Sequence, residues 1–337
     1  MTRKLASIQE VRNVIKHPNA DAIEIAQVEG WQCISKLGEF KPGDLGVYFE
    51  IDSFVPASDE RFAFLEKNFV SFEDYRGARI KTIRLRGELS QGLILPLSAF
   101  PEVTDTEIGT DLTELLGVIK WEKSMPSFAE AKGNFPSFIE KTDQERVQNL
   151  RKMDRTGTWE RTEKLDGTSM TTYLVDGEFG VCSRNYDLLE TADSSTWVTV
   201  RRLDIENRLR TLGKNIALQG ELMGPKIQEN RYKLLEYTYF VYDVYDIDAK
   251  RKMLPHERKE VMDALNSMPG EKIKEVPFIG FVTLPEGEDW IDVLLKDAEG
   301  QSLLNNSTIR EGDVFKHTEK NVSFKAISNK FLLKYDE

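Results

Sequence analysis

The chain has 337 residues, of which 40% are hydrophobic and 31% charged, a balance that is typical of globular proteins and excludes a largely disordered chain. The formal net charge is −11, and acidic residues are in excess both in residues 1–120 and in the remainder, so any contact with a polyanion must use a local basic patch. Two cysteines, Cys33 and Cys182, exclude a disulfide framework and a four-cysteine zinc site.

Two cysteines far apart in the sequence also fit a reducing compartment. The N-terminus lacks the apolar run of a signal peptide, and no apolar stretch approaches the roughly 20 residues that span a membrane. We therefore expect an intracellular protein, cytoplasmic or nuclear, with no membrane partner. The length suggests more than one domain.

Residues 1–115 are predicted to form a domain of short strands joined by turns. The predicted strands cover residues 5–15, 23–28, 32–35, 45–51, 80–85 and 92–97. Repeated short strands at this spacing are typical of a small barrel or sandwich.

A basic stretch lies near the end of this first domain. It has five cations within eleven residues and no acidic residue among them: Arg76, Arg79, Lys81, Arg84 and Arg86. This stretch is either a solvated pair of strands or a contact for nucleic acid, and composition alone leaves both open.

Residues 116–140 are predicted to be a connector, and residues 141–337 a second domain. Thr142 with Glu145 three residues later predicts a capping box at the start of a short helix. Strands are predicted at 159–164, 169–175, 180–183, 216–222, 237–247, 314–317 and 322–326, and helices at 193–212 and 255–265. This is an α+β pattern with antiparallel sheet.

Lys164 lies in the most informative string of the chain, Glu-Lys-Leu-Asp-Gly-Thr-Ser at residues 163–169. The string places an amine two residues before a carboxylate, Asp166, and three before a glycine. This arrangement suits a lysine that attacks a nucleotide triphosphate, because the carboxylate can hold the accompanying metal and the glycine allows a tight turn. A lysine amine is mostly protonated near neutral pH, so a bound metal and nearby cations would have to favour its neutral form.

Five further segments follow in order. Arg184 ends a predicted strand. It either contacts a ribose or a phosphate group of a ligand, or it is a solvated residue of a turn. Glu221 is an acid on a predicted buried strand, which is costly unless it is paired or binds metal. The last three segments offer two aromatic rings on one strand face, an acid before a strand, and a lysine within an apolar strand: Phe240 and Tyr242, Glu311, and Lys325.

The order of these segments resembles the covalent nucleotidyltransferase superfamily of ATP-dependent ligases and mRNA capping enzymes. Residues 164–167 match its motif I and 183–185 its motif Ia. Motifs III, IIIa, IV and V match residues 220–221, 240–243, 311–312 and Lys325, respectively.

Residues 14–24 resemble the start of OB domains of the tRNA-binding type. An OB barrel ahead of the nucleotidyltransferase domain is similar to a group of RNA ligases that join 3′-OH and 5′-phosphate ends. DNA ligases and capping enzymes usually carry an OB domain after motif V, whereas only twelve residues follow Lys325 here. The resemblance therefore implies an OB-fold barrel at residues 1–115 and an adenylyltransferase domain at 141–337.

The resemblance also implies a mechanism and a set of roles. Lys164 would take AMP from ATP, pass it to an RNA 5′-phosphate, and so prepare the end for attack by a 3′-OH. The metal, Mg²⁺ or Mn²⁺, would be held by Asp166, Glu221 and Glu311. The nucleotide would be contacted by cations and aromatic rings, with Glu163 near the base edge: Arg146, Arg184, Lys316 and Lys325, and Phe240 or Tyr242.

The expected partner is an RNA end, in a nicked duplex, gripped by the OB domain and the basic stretch, with the protein acting as a monomer. The alternatives are a DNA ligase or RNA guanylyltransferase of the same superfamily, or a non-catalytic OB-type RNA-binding protein. Motif V in many relatives has two lysines separated by one residue, but here the position two before Lys325 is Ser323 and the position two after it is Ile327. Lys316 and Lys330 are the alternatives for the second cation.

Overall fold

The computed structural model describes residues 3–72, 74–121 and 130–335. The predicted connector at 116–140 lies in part outside the described residues. The chain divides into two compact units: the first comprises Met1–Met125, Val147–Met153 and Leu332–Glu337, and the second comprises Pro126–Arg146 and Asp154–Phe331. No helix in the described ranges is long and apolar enough to cross a membrane.

The first unit is built from short antiparallel strands. They are β1 (Ala6–Lys16), β2 (Ile23–Val28), β3 (Trp31–Lys36), β4 (Leu45–Phe49), β5 (Ser53–Pro56), β6 (Val70–Phe72), β7 (Tyr75–Arg79), β8 (Thr82–Leu85), β9 (Glu88–Gln91), β10 (Leu93–Pro96) and β11 (Ile119–Lys120). One sheet has the order β10-β4-β1-β2-β3, a second has the order β11-β5-β7-β6, and β8 pairs with β9 as a hairpin. The predicted strand at 23–28 coincides with β2, whereas the one predicted at 80–85 begins only at Thr82.

The core of the first unit comes from alternate positions of these strands. Ile8 of β1, Val47 and Phe49 of β4, and Val55 of β5 are fully buried and pack in one cluster. The edge of the Phe62 ring packs against Phe49, with ring centroids 5.2 Å apart. Burial of such side chains contributes roughly 1.5–3 kcal/mol each.

The second unit alternates strands and helices, as the sequence pattern predicts. Its elements are β12 (Ala131–Asn134), β13 (Glu145–Arg146), β14 (Trp159–Lys164), β15 (Thr168–Val175), β16 (Glu178–Cys182), β17 (Tyr186–Leu188), α1 (Ser195–Arg202), α2 (Ile205–Leu212), β18 (Ile216–Met223), β19 (Thr238–Asp246), β20 (Arg251–Lys252), α3 (Pro255–Ser267), β21 (Lys274–Glu275), β22 (Phe278–Val282), α4 (Trp290–Asp297), β23 (Gly312–His317) and β24 (Ser323–Ile327). A last helix, α5 (Asn329–Tyr335), begins in the second unit, and its residues from Leu332 onwards are assigned to the first. A large sheet has the order β12-β17-β16-β15-β18-β19-β20, and a smaller one has the order β13-β24-β23-β14-β22.

Strand alternation in the large sheet separates a helix-facing side from a site-facing side. Leu222 of β18 and Tyr239 of β19 belong to the main core, together with side chains of α1, α2 and α3. Their strand neighbours, Met223 and Phe240, belong instead to a second apolar cluster that contains Leu165. Successive side chains in a strand point to opposite faces, so the second cluster lies beside Lys164 on the other face of the sheet.

The helix predicted at 193–212 is wrong as a single element, because the structure has α1 and α2 separated at Leu203 and Asp204. Asp204 adopts a left-handed conformation with φ 52°, which aspartate tolerates better than most residues. Leu203 and Ile205 are 3% and 0% exposed. Two residues apart on one helix they would be about 200° apart around its axis, so the break lets both face the core.

The helix predicted to begin at Thr142 is also wrong. Glu145 and Arg146 form the short strand β13, parallel to β24, and a single 3₁₀ turn follows at Val147–Asn149. The Thr142 hydroxyl bonds to the hydroxyl of Tyr242 instead of a helix N–H group. A tertiary contact therefore prevails over the local four-residue pattern.

Candidate active site

Lys164 is the last residue of β14, and the turn that follows it links the two sheets of the second unit. β14 pairs with β23 in the smaller sheet, so that Lys164 lies opposite Gly312. After Leu165, Asp166 and Gly167, the chain enters β15 in the large sheet. The amine therefore lies where the edges of both sheets can supply side chains.

Gly167 is required by close packing in this turn. A Cβ added there would lie 2.6 Å from the carbonyl oxygen of Leu222 and 2.9 Å from Cγ of Glu221. Backbone cannot yield without moving β18, which carries Glu221. The glycine of the motif therefore sets the distance between the turn and that strand.

Replacing Gly167 by alanine should destabilise the second unit by about 2 kcal/mol, because the added methyl group overpacks the turn against β18. Adenylylation should fall at least about tenfold, since a displacement near 1 Å costs this much or more. The measurements are urea unfolding and protein–AMP formation. Gly280→Ala in β22 is the matched control, since a Cβ there has no atom within 4 Å. Equal behaviour of the two variants would contradict the packing argument.

Glu311 holds the amine of Lys164. The Lys164 Nζ donates to Glu311 Oε1 at 2.7 Å, with the two side chains 28% and 14% exposed. Glu311 Oε2 is buried and has no hydrogen-bond partner among the described residues. A carboxylate oxygen without a partner inside a site is available to a further donor or to a cation.

Glu221 is the second carboxylate beside Lys164. It lies on the site-facing side of β18 and its Oε1 accepts a hydrogen bond of 3.0 Å from the N–H of Gly167. Burial raises the pKa of Glu221 to about 7; the charge of Lys164 opposes this shift and that of Glu311 adds to it. The three groups therefore interact electrostatically as one cluster.

Asp166 is engaged with two residues that the sequence did not single out. Its carboxylate forms an ion pair with Arg231, and its N–H donates to the hydroxyl of Tyr232 at 3.0 Å. Both partners lie in the irregular segment between β18 and β19, where Gln228 also donates to the carbonyl of Gly167 at 3.3 Å. This segment has neither strand nor helix periodicity, so no sequence signal located it.

No group of three or more carboxylate, histidine or cysteine side chains among the described residues is arranged to hold a metal ion directly. The Asp166 carboxylate forms an ion pair with Arg231, whereas Glu221 and Glu311 interact with each other and with Lys164. The oxygen donors and the open Oε2 of Glu311 match the preference of Mg²⁺ and Mn²⁺ for carboxylates and water. The predicted metal ligands thus have suitable chemistry, and their roles stay a prediction.

Phe240 and Tyr242 share the site-facing side of β19, as the alternation predicted. Phe240 is 3% exposed and packs with Leu165, Met223 and Tyr232. Tyr242 is half-buried, and its hydroxyl lies 2.8 Å from the Thr142 hydroxyl. The partly exposed ring of Tyr242 is the better placed of the two to meet a purine base.

Residues 140–146 form an extended segment, which we call the strap, that bonds to both sheets. The Gln219 side-chain amide donates to the carbonyl of Glu140 at 2.8 Å, and Thr142 reaches Tyr242 in the large sheet. At the other end Arg146 lies opposite Lys325 in the parallel pairing of β13 with β24. Arg146 is thereby a strand neighbour of Lys325, and its role in binding the nucleotide stays a prediction.

The carboxylate of Asp143, also in the strap, lies between two of the predicted phosphate-binding cations. It accepts a hydrogen bond from the Lys325 Nζ at 3.1 Å and forms an ion pair of 3.7 Å with Arg184. Sequence reasoning missed Asp143, because this segment was assigned to a helix. The structure therefore brings Lys325 and Arg184 to one carboxylate, while Arg146 is paired with Lys325 through the backbone register of β13 and β24.

Lys316 and Glu163 have partners of their own. The amine of Lys316 is buried against the Asp243 carboxylate and the carbonyl of Tyr242, and burial lowers its pKa although Asp243 opposes the shift. Glu163 is 1% exposed and accepts the N–H of Leu303 at 2.8 Å, and burial raises its pKa. Lys330, the other alternative for a second cation, forms an exposed ion pair with Glu299 at 2.8 Å.

Comparison with known protein families matches residues 5–97 to an OB-fold domain and residues 157–335 to RNA ligase. The structure is similar to solved structures of an RNA ligase from Naegleria gruberi. A glutamate-to-alanine variant with AMP and Mn shares 44% identity, with a TM-score of 0.93 and coverage of 98% of each chain. A lysine-to-alanine variant with ATP and Mn shares 44% identity, with a TM-score of 0.92 and coverage of 98% of each chain. The complex with pyrophosphate shares 44% identity, with a TM-score of 0.93 and coverage of 98% of each chain. The comparison with curated proteins found no match.

These matches confirm the predicted fold class, an OB-fold domain followed by an α+β domain with antiparallel sheets. They also confirm the superfamily assignment made from the order of the motifs. The chain belongs to the RNA ligase family.

Proposed function

We propose that this protein is an ATP-dependent RNA ligase that seals 3′-OH and 5′-phosphate ends in nicked duplex RNA through a lysyl-AMP intermediate. The observation that carries the proposal is the position of the Lys164 amine, 2.7 Å from Glu311 and beside Glu221. Arg184 acts electrostatically on Glu221, and Leu165, the residue after Lys164, packs in one apolar cluster with Tyr232 and Phe240. The relatives from Naegleria gruberi bind ATP, AMP, pyrophosphate and Mn.

In the first step the Nζ of Lys164 attacks the α-phosphorus of ATP, an N–P bond forms, and the bond to pyrophosphate breaks. The amine must lose a proton, and Glu311 Oε1 already accepts its hydrogen bond. Lys325, Arg184 and Arg146 would bind the phosphates, displacing Asp143 from the first two. Tyr242 would stack on adenine, with Phe240 behind it and Glu163 near the base edge.

In the second step an oxygen of the RNA 5′-phosphate attacks the same phosphorus, and Lys164 leaves as the amine. In the third step the 3′-OH attacks the RNA 5′-phosphorus and AMP leaves. When Mg²⁺ or Mn²⁺ is bound by Glu221, Glu311 and Asp166, directly or through water, it supplies charge neutralisation at the α-phosphate. The release of Asp166 from Arg231 would make its carboxylate available.

The proposal is tested by incubating the protein with labelled ATP or GTP, then with duplexes whose nick has RNA or DNA on the 3′-OH side. We expect an adduct with ATP and sealing of the RNA nick. Adduct formation from GTP would favour a guanylyltransferase, and sealing of DNA nicks alone a DNA ligase. If neither nucleotide formed an adduct, the remaining hypothesis would be a non-catalytic RNA-binding protein.

Glu221 provides a test of function through stability. Its pKa is raised from 4.5 to about 7, so folding favours the protonated carboxyl, and stability is lost as pH rises from 4.5 through 7. In metal-free protein Glu221→Gln should therefore be more stable than the parent by up to about 3 kcal/mol at pH 8, with little difference at pH 4.5. The measurement is urea unfolding at both pH values with a chelator present.

Addition of Mn²⁺ at pH 8 should stabilise the parent chain and not Glu221→Gln, because the metal relieves the cost of the buried charge only where the carboxylate is present. The same stabilisation of both proteins would remove Glu221 from the metal site. A buried carboxylate that lowers the stability of the free protein, with the stability restored when a ligand binds, is typical of a functional site.

We also propose that the protein acts as a monomer in a reducing compartment, cytoplasmic or nuclear. Cys33 and Cys182 are buried as free thiols, and burial raises the pKa of both, which keeps them unreactive.

A further inference from the structure

The β8–β9 hairpin of the first unit exposes most of the side chains of one strand. In β8, every residue from Ile83 to Leu85 is exposed, although strand alternation would bury one face of a core strand. Ile83 and Leu85 are 37% and 38% exposed, and Arg84 lies between them. Arg86 follows in the turn and is also exposed. β8 pairs with no strand other than β9 in the part of the chain that the structure describes.

The hairpin is fixed to the barrel despite this exposure. Its turn consists of Arg86 and Gly87, with φ 51° and 96°, the combination typical of a tight two-residue turn. The carbonyl of Leu85 accepts from the His17 Nε2 at 3.1 Å, and the carbonyl of Arg86 accepts from the Asn19 side-chain amide at 3.1 Å.

The tautomer of His17 makes this anchor specific. The Nδ1 of its ring accepts the N–H of Asn19 at 3.1 Å, so the proton of the neutral ring is assigned to Nε2, which donates to Leu85. His17 is 1% exposed. The turn at residues 17–19 therefore holds the backbone of the hairpin tip while its side chains point outward.

The base of the hairpin is fixed as well. The side-chain amide of Gln32 donates to the carbonyl of Leu89 at 2.9 Å, and the N–H of Ile34 donates to the Ser90 hydroxyl at 3.1 Å. Since the backbone is held at both ends, binding of a ligand by the hairpin needs little ordering of the backbone.

The charge of the hairpin is opposite to that of the whole chain. Residues 81–91 contain three cations, Lys81, Arg84 and Arg86, and one acidic residue, Glu88, whereas the whole chain has a net charge of −11. Arg79 of the preceding strand is different, because its guanidinium forms an ion pair of 2.7 Å with Asp52 and is only 13% exposed. Within the basic stretch, the exposed cations are thus Arg76, Lys81, Arg84 and Arg86.

The side chains of the hairpin also indicate which form of nucleic acid would fit. Proteins that hold single strands stack bases on aromatic rings, and residues 81–91 contain no aromatic residue. Arginines alternating with aliphatic side chains suit a duplex, where phosphates and sugars border the wide, shallow minor groove of A-form RNA.

We propose that the β8–β9 hairpin binds the phosphate–sugar backbone of duplex RNA flanking the nick, with Arg84 and Arg86 on phosphates and Ile83 and Leu85 against riboses. This inference rests on the proposed function, because it assigns a surface to the substrate of that reaction. Cations on an edge strand also prevent pairing with other sheets, and the experiment separates that role from binding.

The test compares the parent chain with Arg84→Ala/Arg86→Asn, since asparagine tolerates the left-handed conformation at residue 86. Binding to a nicked RNA duplex and to a single strand of equal length is measured between 50 and 200 mM salt. The slope of log K against log salt for the duplex should decrease in magnitude by about 2, because each of the two arginines neutralises one phosphate. Single-strand binding should change much less.

Ile83→Ser/Leu85→Ser should weaken duplex binding at an unchanged salt slope, because it removes apolar surface and no charge. Lys41→Ala/Lys67→Ala removes two exposed cations elsewhere in the first unit and should leave the slope as in the parent. Unchanged duplex binding by the arginine variant, equal weakening of single-strand binding, or an equal effect of the lysine control would overturn the proposal.

Adduct formation from ATP needs no RNA, so it separates the two proposals. The arginine variant should form lysyl-AMP as fast as the parent chain. If the parent forms no adduct, the proposed ligase function fails, while the binding measurements still decide the role of the hairpin.

Discussion

Replacing Lys164 by alanine is expected to abolish the protein–AMP adduct, with a loss of at least about 10⁴-fold in rate, because no other group can form the N–P bond. The two lysines predicted to bind phosphate have carboxylate partners of their own: Lys325 bonds to Asp143 and Lys316 to Asp243. The measurement is label transfer from ATP to the protein at saturating metal.

Two comparisons make this result specific to chemistry. Lys259→Ala in α3 removes an amine whose side chain is 59% exposed and should leave adduct formation unchanged. Lys164→Ala should still join RNA whose 5′ end already carries AMP, since the nucleophile of that step is the 3′-OH. A labelled adduct on the alanine variant would assign the nucleophile to another residue.

The sequence located the parts of the site that lie on regular strands. Lys164 ends β14, Glu221 lies in β18, and Tyr242 lies in β19, and the sequence predicted a strand at each of these three places. Alternation fixes which side chains share a face, so it also predicted that Phe240 and Tyr242 would lie together. Elements of this kind are decided by local pattern and burial.

The sequence did not locate the parts that depend on contacts between distant segments. The strap was assigned to a helix, because Thr142 and Glu145 have the spacing of a capping box, yet the partners of Thr142 and Arg146 are on β19 and β24. Arg231 and Tyr232 lie in a segment without periodicity. Their contacts with Asp166 arise only when the loop between β18 and β19 folds over the motif I turn.

Lys316→Met is expected to destabilise the protein by about 4 kcal/mol while leaving adduct formation largely intact in the protein that remains folded. The variant leaves the carboxylate of Asp243, 2% exposed, without its lysine partner. Removing one member of a buried ion pair costs roughly 3–5 kcal/mol, because the other charge stays buried. The measurements are urea unfolding and the ATP dependence of adduct formation.

The double variant Lys316→Met/Asp243→Asn should recover much of this stability, because it removes the buried charge together with its partner. Such recovery would show that Lys316 neutralises Asp243 in the folded protein. The opposite result would make Lys316 the second phosphate-binding lysine. In that case Lys316→Met would change the free energy of unfolding by less than about 1 kcal/mol and would strongly raise the ATP concentration needed for half-maximal adduct formation. In the first case Lys325 would act with Arg184 and Arg146, which explains how Ser323 can stand where many relatives have a lysine.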